Sequence, residues 1–249
     1  MTMFRRIAFA AFAAPLALGP SACNSGEEDT VAASEPIAPI SAPEGTQWTD
    51  TTTVSDDGGY ILGNPEAPIK LVEYGSLTCP ACAAFSVEGA AKLEEDYVNS
   101  GRVSYEFRSV LIHGAADLVL TKLVTCGAKE AVHPLANQVW ANLNPILDGI
   151  QANTAALEGA MGLPEEQRLP AYAEAGGLYE FFSARGLSRD QAESCLADFD
   201  AVQALAEQTE AAARRDEVER TPTFFLNGRQ LEETRWEDVE PALQRAGAR

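Results

Sequence analysis

Cys79-Pro80-Ala81-Cys82 constrains this chain more than any other stretch. It follows an apolar run, Ile69-Lys70-Leu71-Val72-Glu73-Tyr74, that reads as a strand, and it opens a segment that reads as a helix over residues 80–99. Two cysteines at that spacing on a strand-to-helix junction suit dithiol–disulfide chemistry. The free N–H groups and positive dipole end of a helix start favour a thiolate over a thiol. Pro80 fits the first helical position, where no N–H is needed. Cys79 is therefore expected at the N-cap, exposed and nucleophilic, with Cys82 one turn in, more buried, as its resolving partner.

The start of the chain reads as a secretory signal over residues 1–22. Arg5 and Arg6 form a basic head, residues 7–18 an uncharged apolar stretch too short to span a bilayer, and Ser21-Ala22 a small-residue end. Ser21-Ala22-Cys23 resembles the end of a bacterial lipobox, which would make Cys23 a lipidated N-terminus; ordinary cleavage with Cys23 left over is the alternative. Five cysteines are an odd number, and a lipid on Cys23 would leave four, enough for two pairs. Residues 23–45, rich in Ala, Ser, Pro and acids, read as a disordered tether. The formal charge of −19 repels nucleic acid and anionic membrane surfaces, which excludes nucleic-acid binding. Contact with a membrane is then expected only through a lipid anchor.

The folded part is expected from residue 46. Residues 48–54 read as an edge strand and residues 102–108 as a second strand after the helix, giving β-α-β with a right-handed crossover. From residue 113 to 213 the pattern is helical, with helices expected over 116–130, 134–150, 178–185, 188–198 and 199–215. Ser188 and Gln191 make a capping box. Sheet returns at Thr223-Phe224-Phe225-Leu226, Asn227-Gly228 is a hairpin turn, and a closing helix follows over residues 236–246. The plan is an α/β domain in two parts, 46–112 and 214–249, interrupted by an all-helical insertion over 113–213.

Two further features bear on the cysteine pair. Pro222, in Thr221-Pro222-Thr223, heads a strand; read alone, it is by default a trans proline at an edge or turn. Glu73 sits mid-strand among apolar residues, where burial is costly and an acid is retained for a reason, unless an edge position solvates it.

Leu71-Val72-Glu73-Tyr74-Gly75-Ser76-Leu77-Thr78-Cys79-Pro80-Ala81-Cys82 resembles the active-site segment of DsbA-like bacterial thiol:disulfide oxidoreductases. Arg220-Thr221-Pro222-Thr223-Phe224-Phe225-Leu226-Asn227-Gly228 resembles their cis-proline segment. The resemblance covers roughly residues 46–246 and implies a thioredoxin fold with a helical insertion. It also implies that Cys79 forms the mixed disulfide, that Cys82 resolves it, and that Pro222 is cis and packs on the pair. Thr221 would present backbone to a client strand, and Glu73 would relay protons to and from Cys82. DsbA itself has His where this chain has Ala81. Losing one charge-assisted contact of about 1.4 kcal/mol corresponds to ~30 mV, so the pair is expected to be less oxidising.

Cys126 and Cys195 both lie in the helical part and are expected to pair in an oxidising compartment, free buried thiols being the alternative. His113 and His133, the two histidines, read as structural or surface residues rather than catalytic ones. The expected function is extracytoplasmic disulfide exchange, in the periplasm or cell envelope, by a monomer needing no cofactor. It would donate disulfides to reduced secreted clients and be reoxidised by a membrane redox partner. A reductase or isomerase is the nearest alternative. A copper- or zinc-handling protein using Cys79 and Cys82 is the alternative of another class, disfavoured because no third ligand lies near the pair.

Overall fold

The structure is a computed structural model that describes residues 34–249. The expected signal, Cys23 and the first part of the tether lie outside the described residues. The rest of the expected tether is not free chain. Ser34 N–H donates to Arg245 O at 2.7 Å, Ile37 N–H to Gly247 O at 2.9 Å, and Ile40 N–H to Ser100 O at 2.8 Å. Gly247 accepts this strap because it has no side chain: its φ is +110°, and a Cβ there would lie 2.8 Å from Glu35 O. Low-complexity composition suggested disorder, but backbone hydrogen bonds need no particular side chains.

Trp48–Asp50 forms a 3₁₀ turn rather than the start of a strand, and its Trp48 indole donates to Ile40 O at 2.7 Å. Thr52–Val54 (β1) and Tyr60–Leu62 (β2) follow as an antiparallel pair. Ile69–Gly75 (β3), Pro80–Lys92 (α1) and Val103–Ser109 (β4) make the expected parallel β-α-β unit, α1 continuing as a π-helical Leu93–Val98. Eight α-helices come next, with a 3₁₀ turn at Lys129–Ala131 between the first two: Ala115–Thr125 (α2), Val132–Ala141 (α3), Leu143–Ala152 (α4), Thr154–Met161 (α5), Glu165–Ala175 (α6), Leu178–Ser183 (α7), Arg189–Ala197 (α8) and Phe199–Arg215 (α9). Thr223–Leu226 (β5), Arg229–Gln230 (β6) and Trp236–Arg245 (α10) close the chain. This is the thioredoxin fold with inserted helices.

Among the described residues six strands form one sheet in the order β1-β2-β4-β3-β5-β6. The expected single helix over 134–150 breaks at Asn142, because Pro145 has no N–H for the carbonyl of Ala141. Ser188 and Gln191 form the capping box, and φ is positive at both Asn227 and Gly228, as a two-residue hairpin requires.

β3 lies at the centre of the sheet, and alternation along it sends neighbouring residues to opposite layers. Leu71 and Glu73 face α1, where Phe85 packs on Phe224 of β5 and on Trp236 of α10, with ring centroids 4.5 and 6.0 Å apart. Gly89, inside α1, leaves room for Trp236, which a Cβ would meet at 2.3 Å. Tyr74 faces the other layer. Its hydroxyl donates to Asp216 Oδ2 at 2.5 Å, just beyond α9, and accepts from Arg108 Nη1 at 2.8 Å.

Cys126, at the end of α2, is bonded to Cys195 in α8, with Cα atoms 6.0 Å apart across 69 residues. Closing a loop of that length stabilises by about 4 kcal/mol in the chain-entropy model. Replacing both cysteines with alanine is therefore expected to lower the urea-unfolding free energy by up to ~4 kcal/mol. Dithiothreitol should then have much less effect on the variant's stability than on that of the parent.

Candidate active site

Cys79 occupies the N-cap of α1 with extended backbone angles (φ −84°, ψ 120°), and Pro80 follows at the first helical position. The first helical bond runs from Ala83 N–H to Cys79 O at 3.0 Å. The expectation that Cys79 is exposed needs correcting: only 5% of its surface is open, against 0% for Cys82. The cover is the segment before β5. The Thr221–Pro222 peptide is cis, Pro222 is buried, and Thr221 O lies 3.3 Å from Cys79 Sγ, which donates to it in its thiol form.

The two sulfurs are electrostatically unequal. Cys79 is lowered from an ordinary value near 9 to about 5. The largest cause is a hydrogen bond from the Cys82 thiol, which outweighs the penalty of burial. The Thr221 side chain and the backbone N–H groups of Cys82 and Ala81 add to it. The helix start thus contributes, as its position predicts, but ranks behind the partner thiol. Cys82 is pushed well above the ordinary thiol range by burial, then by its bond to Cys79 and the charge of Glu73. One sulfur is poised as a thiolate while the other keeps its proton.

Glu73 is fully buried in the central strand, not solvated at an edge. Burial raises its carboxyl to about 8; a hydrogen bond from Tyr105 opposes the rise and the negative Cys79 adds to it. Tyr105 Oη–H donates to Glu73 Oε2, and Glu73 Oε1 has no protein partner. Tyr105 itself, in β4, is pushed well up by burial and by Glu73. His133 is buried with its ring centroid 5.2 Å from that of Tyr105, and burial lowers it to about 4, so it is neutral near pH 7. Sequence reading passed over Tyr105; its alternation with Val103 and Phe107 marked it only as an inward position of β4.

A second buried polar group lies behind the cysteines. Ser76 and Thr78, in the turn entering Cys79, donate to Asp117 in the first turn of α2, and His113 joins them. No sequence motif marks Asp117, which lies 38 positions from Cys79. Cys126 and Cys195 take no part in the site. Among the described residues, no three His, Cys, Asp or Glu side chains are placed to hold a metal ion. No described helix is long and apolar enough to cross a membrane.

Comparison with known proteins gives this geometry a context. The family described as Thioredoxin matches residues 55–245. A Bacillus subtilis protein named disulfide bond formation protein D is 35% identical over 57 residues, 23% of this chain and 26% of that protein. A Rickettsia typhi protein named as a protein-disulfide oxidoreductase is 25% identical over 200 residues, 80% of this chain and 65% of that protein. The chain thus spans less than two thirds of either relative. The crystal structure of a protein-disulfide isomerase from Novosphingobium aromaticivorans superposes with a TM-score of 0.69 at 26% identity, covering 76% of this chain and 96% of that one. Wolbachia pipientis alpha-DsbA1 shares the fold, with a TM-score of 0.62 at 18% identity over 78% of this chain and 93% of that one. By its matched residues and by its fold, the chain belongs to the thioredoxin family, in the DsbA-like arrangement with helices inserted into the domain.

Proposed function

We propose that this protein is an extracytoplasmic thiol:disulfide oxidoreductase that passes the Cys79–Cys82 disulfide to client thiols. The observation that carries the reading is the inequality of the two sulfurs, Cys79 lowered to about 5 and Cys82 raised. In the oxidised protein a client thiolate attacks Cys79 Sγ, the sulfur nearer the surface. A client–Cys79 disulfide forms, the Cys79–Cys82 bond breaks, and Cys82 leaves with the electron pair. Cys82 does not hold a charge there, so it takes a proton, which the Glu73 carboxyl is set to supply. A second client thiolate then attacks the client sulfur of the mixed disulfide and expels Cys79 as a stable thiolate. In the reverse direction Cys82 resolves the mixed disulfide and returns its proton to Glu73.

The backbone of Thr221, beside the cis Pro222, is suited to receive an extended client segment. A cleft of about 970 Å³ lined by Leu111, Ala213, Glu219, Arg220 and Thr223 runs beside it. Reduced secreted proteins as clients, a membrane redox partner as reoxidant, action as a monomer, and attachment through a lipid on Cys23 complete the proposal. The signal-like residues 1–22 support the compartment.

The deciding experiment is a redox titration of the pair, with oxidation of a reduced client and reduction of insulin run alongside. A midpoint between about −120 and −270 mV is expected, less oxidising than DsbA because Ala81 supplies no donor. An unchanged redox state between mild oxidant and dithiothreitol would end the reading, and a value near −270 mV would favour a reductase.

Cys79 and Glu73 make the stability of the protein depend on pH in opposite directions. Because folding lowers Cys79, its stabilisation of the reduced protein is absent below about pH 5 and grows as pH rises toward the ordinary thiol value near 9. The oxidised protein has no such thiolate. The unfolding free energy of the reduced form should therefore gain on the oxidised form by a few kcal/mol between about pH 5 and 9. Thiolate absorbance of the reduced protein should titrate near pH 5 and vanish in Cys79→Ser.

Glu73 has the opposite sign. Folding raises it, so its favourable contribution is complete below about 4.5 and is lost as pH rises through about 8. Glu73→Gln should flatten that loss. It should also slow the Cys82 step by about 10²-fold, so that in quenched-flow gels the oxidised protein forms mixed disulfide with a reduced client more slowly, while the reduced protein accumulates it with an oxidised client.

A further inference from the structure

Asp117 is fully buried, yet the proposed chemistry does not use it. Its Oδ1 accepts from Ser76 Oγ–H at 2.7 Å and from Thr78 N–H at 3.2 Å. Its Oδ2 accepts from His113 N–H at 2.7 Å, and Thr78 Oγ1 lies 3.0 Å from both oxygens. Every partner is a donor, which suits a carboxylate with its several lone pairs. The Thr78 hydroxyl has one proton; giving it to Asp117, it accepts from His113 Nδ1–H at 2.7 Å. The same turn is held from a second helix, since Ser76 O accepts from Trp140 Nε1 of α3 at 3.0 Å as well as from Cys79 N–H at 3.2 Å.

We propose that Asp117 is a positioning residue of the dithiol: through Ser76 and Thr78 it fixes the turn that sets Cys79 Sγ at the start of α1 and under the Thr221 carbonyl. Residues 76–78 belong to no strand or helix, so nothing in the sheet ladder fixes them. The donors that favour the Cys79 thiolate act only in good alignment, and hydrogen bonds weaken steeply outside it. A turn free to shift would carry Sγ away from the Cys82 thiol and the Ala81 and Cys82 N–H groups. The inserted helices thereby take part in the active site by holding its entry turn. This inference rests on reading Cys79 as the nucleophile.

Charge and position can be told apart, because they act with opposite sign. Removing an acid near a thiolate favours the thiolate, whereas loosening the turn disfavours it. The test is the thiolate absorbance titration of the reduced protein, with iodoacetamide alkylation at pH 6. In Asp117→Ala the Cys79 midpoint should rise by about one to two units and alkylation at pH 6 should slow about tenfold. In Asp117→Asn the amide oxygen still accepts from Ser76 and Thr78, and most of the shift should disappear. A midpoint unchanged or lowered in folded Asp117→Ala overturns the proposal. Should that variant fail to fold, Thr78→Val replaces it; a smaller rise is expected, and no rise overturns the proposal. The midpoint is read without a client, so failure of the parent protein to exchange disulfides would remove the functional reading and leave this result standing.

Discussion

The hydrogen bond from the Cys82 thiol to the Cys79 sulfur exists only while Cys82 keeps its proton, and the surroundings of Cys82 enforce that condition. Burial, the Cys79 charge and the Glu73 charge all disfavour a second thiolate. The interior at this point tolerates one negative charge well and a second one poorly, since like charges in a poorly solvated site repel strongly. Glu73 is subject to the same rule. Its polar partner is the neutral Tyr105 rather than a cation, and the negative Cys79 holds it further toward its acid form. When Cys79 loses its charge in a disulfide, that contribution to Glu73 goes with it. The proton needed by Cys82 and the charge state of Cys79 are thus linked through one carboxyl group.

Adjacent residues of one strand organise both halves of the site. Glu73 lies on the α1 face beneath the dithiol, and Tyr74 lies on the other, against the end of α9. Arg108 reinforces that end through Glu106, Asp57 and Asp216 at 2.7, 2.9 and 3.3 Å. Its side chain is 14% exposed, so these ion pairs are shielded from solvent more than most surface pairs. From Asp216 the chain runs six residues to Pro222. The cis-proline segment is therefore fixed to the same strand that feeds the cysteines, although 142 residues separate Cys79 from Thr221.

Much of this was legible in the sequence because it is written in local terms. The cysteine spacing, Pro80, the capping box at Ser188 and the Asn227-Gly228 turn each specify a backbone conformation within a few residues. The thioredoxin fold with its helical insertion followed from their order and from the resemblance. Other features depend on distance in space. Asp117 and Tyr105 gain their meaning from the turn and the carboxyl they meet, neither of which their neighbours in sequence betray. Tyr60–Leu62 is too short for a period to show, and α6 hides behind Pro170 in its interior. Cys79 was expected to be open because an N-cap projects from a helix; what covers it comes from the far end of the chain.

The strap over residues 34–40 has a consequence for orientation. It lies against Ser100 and Gly247, beyond the far end of the helix that begins at Cys79. At about 1.5 Å per residue, the 19 residues from Pro80 to Val98 set that point roughly 28 Å from the cysteines. Ser34, the first described residue, therefore lies toward the pole opposite the dithiol. A pull applied at Ser34 would load the strap and the end of α10 before it reached the active-site turn, as a tool is held by its handle.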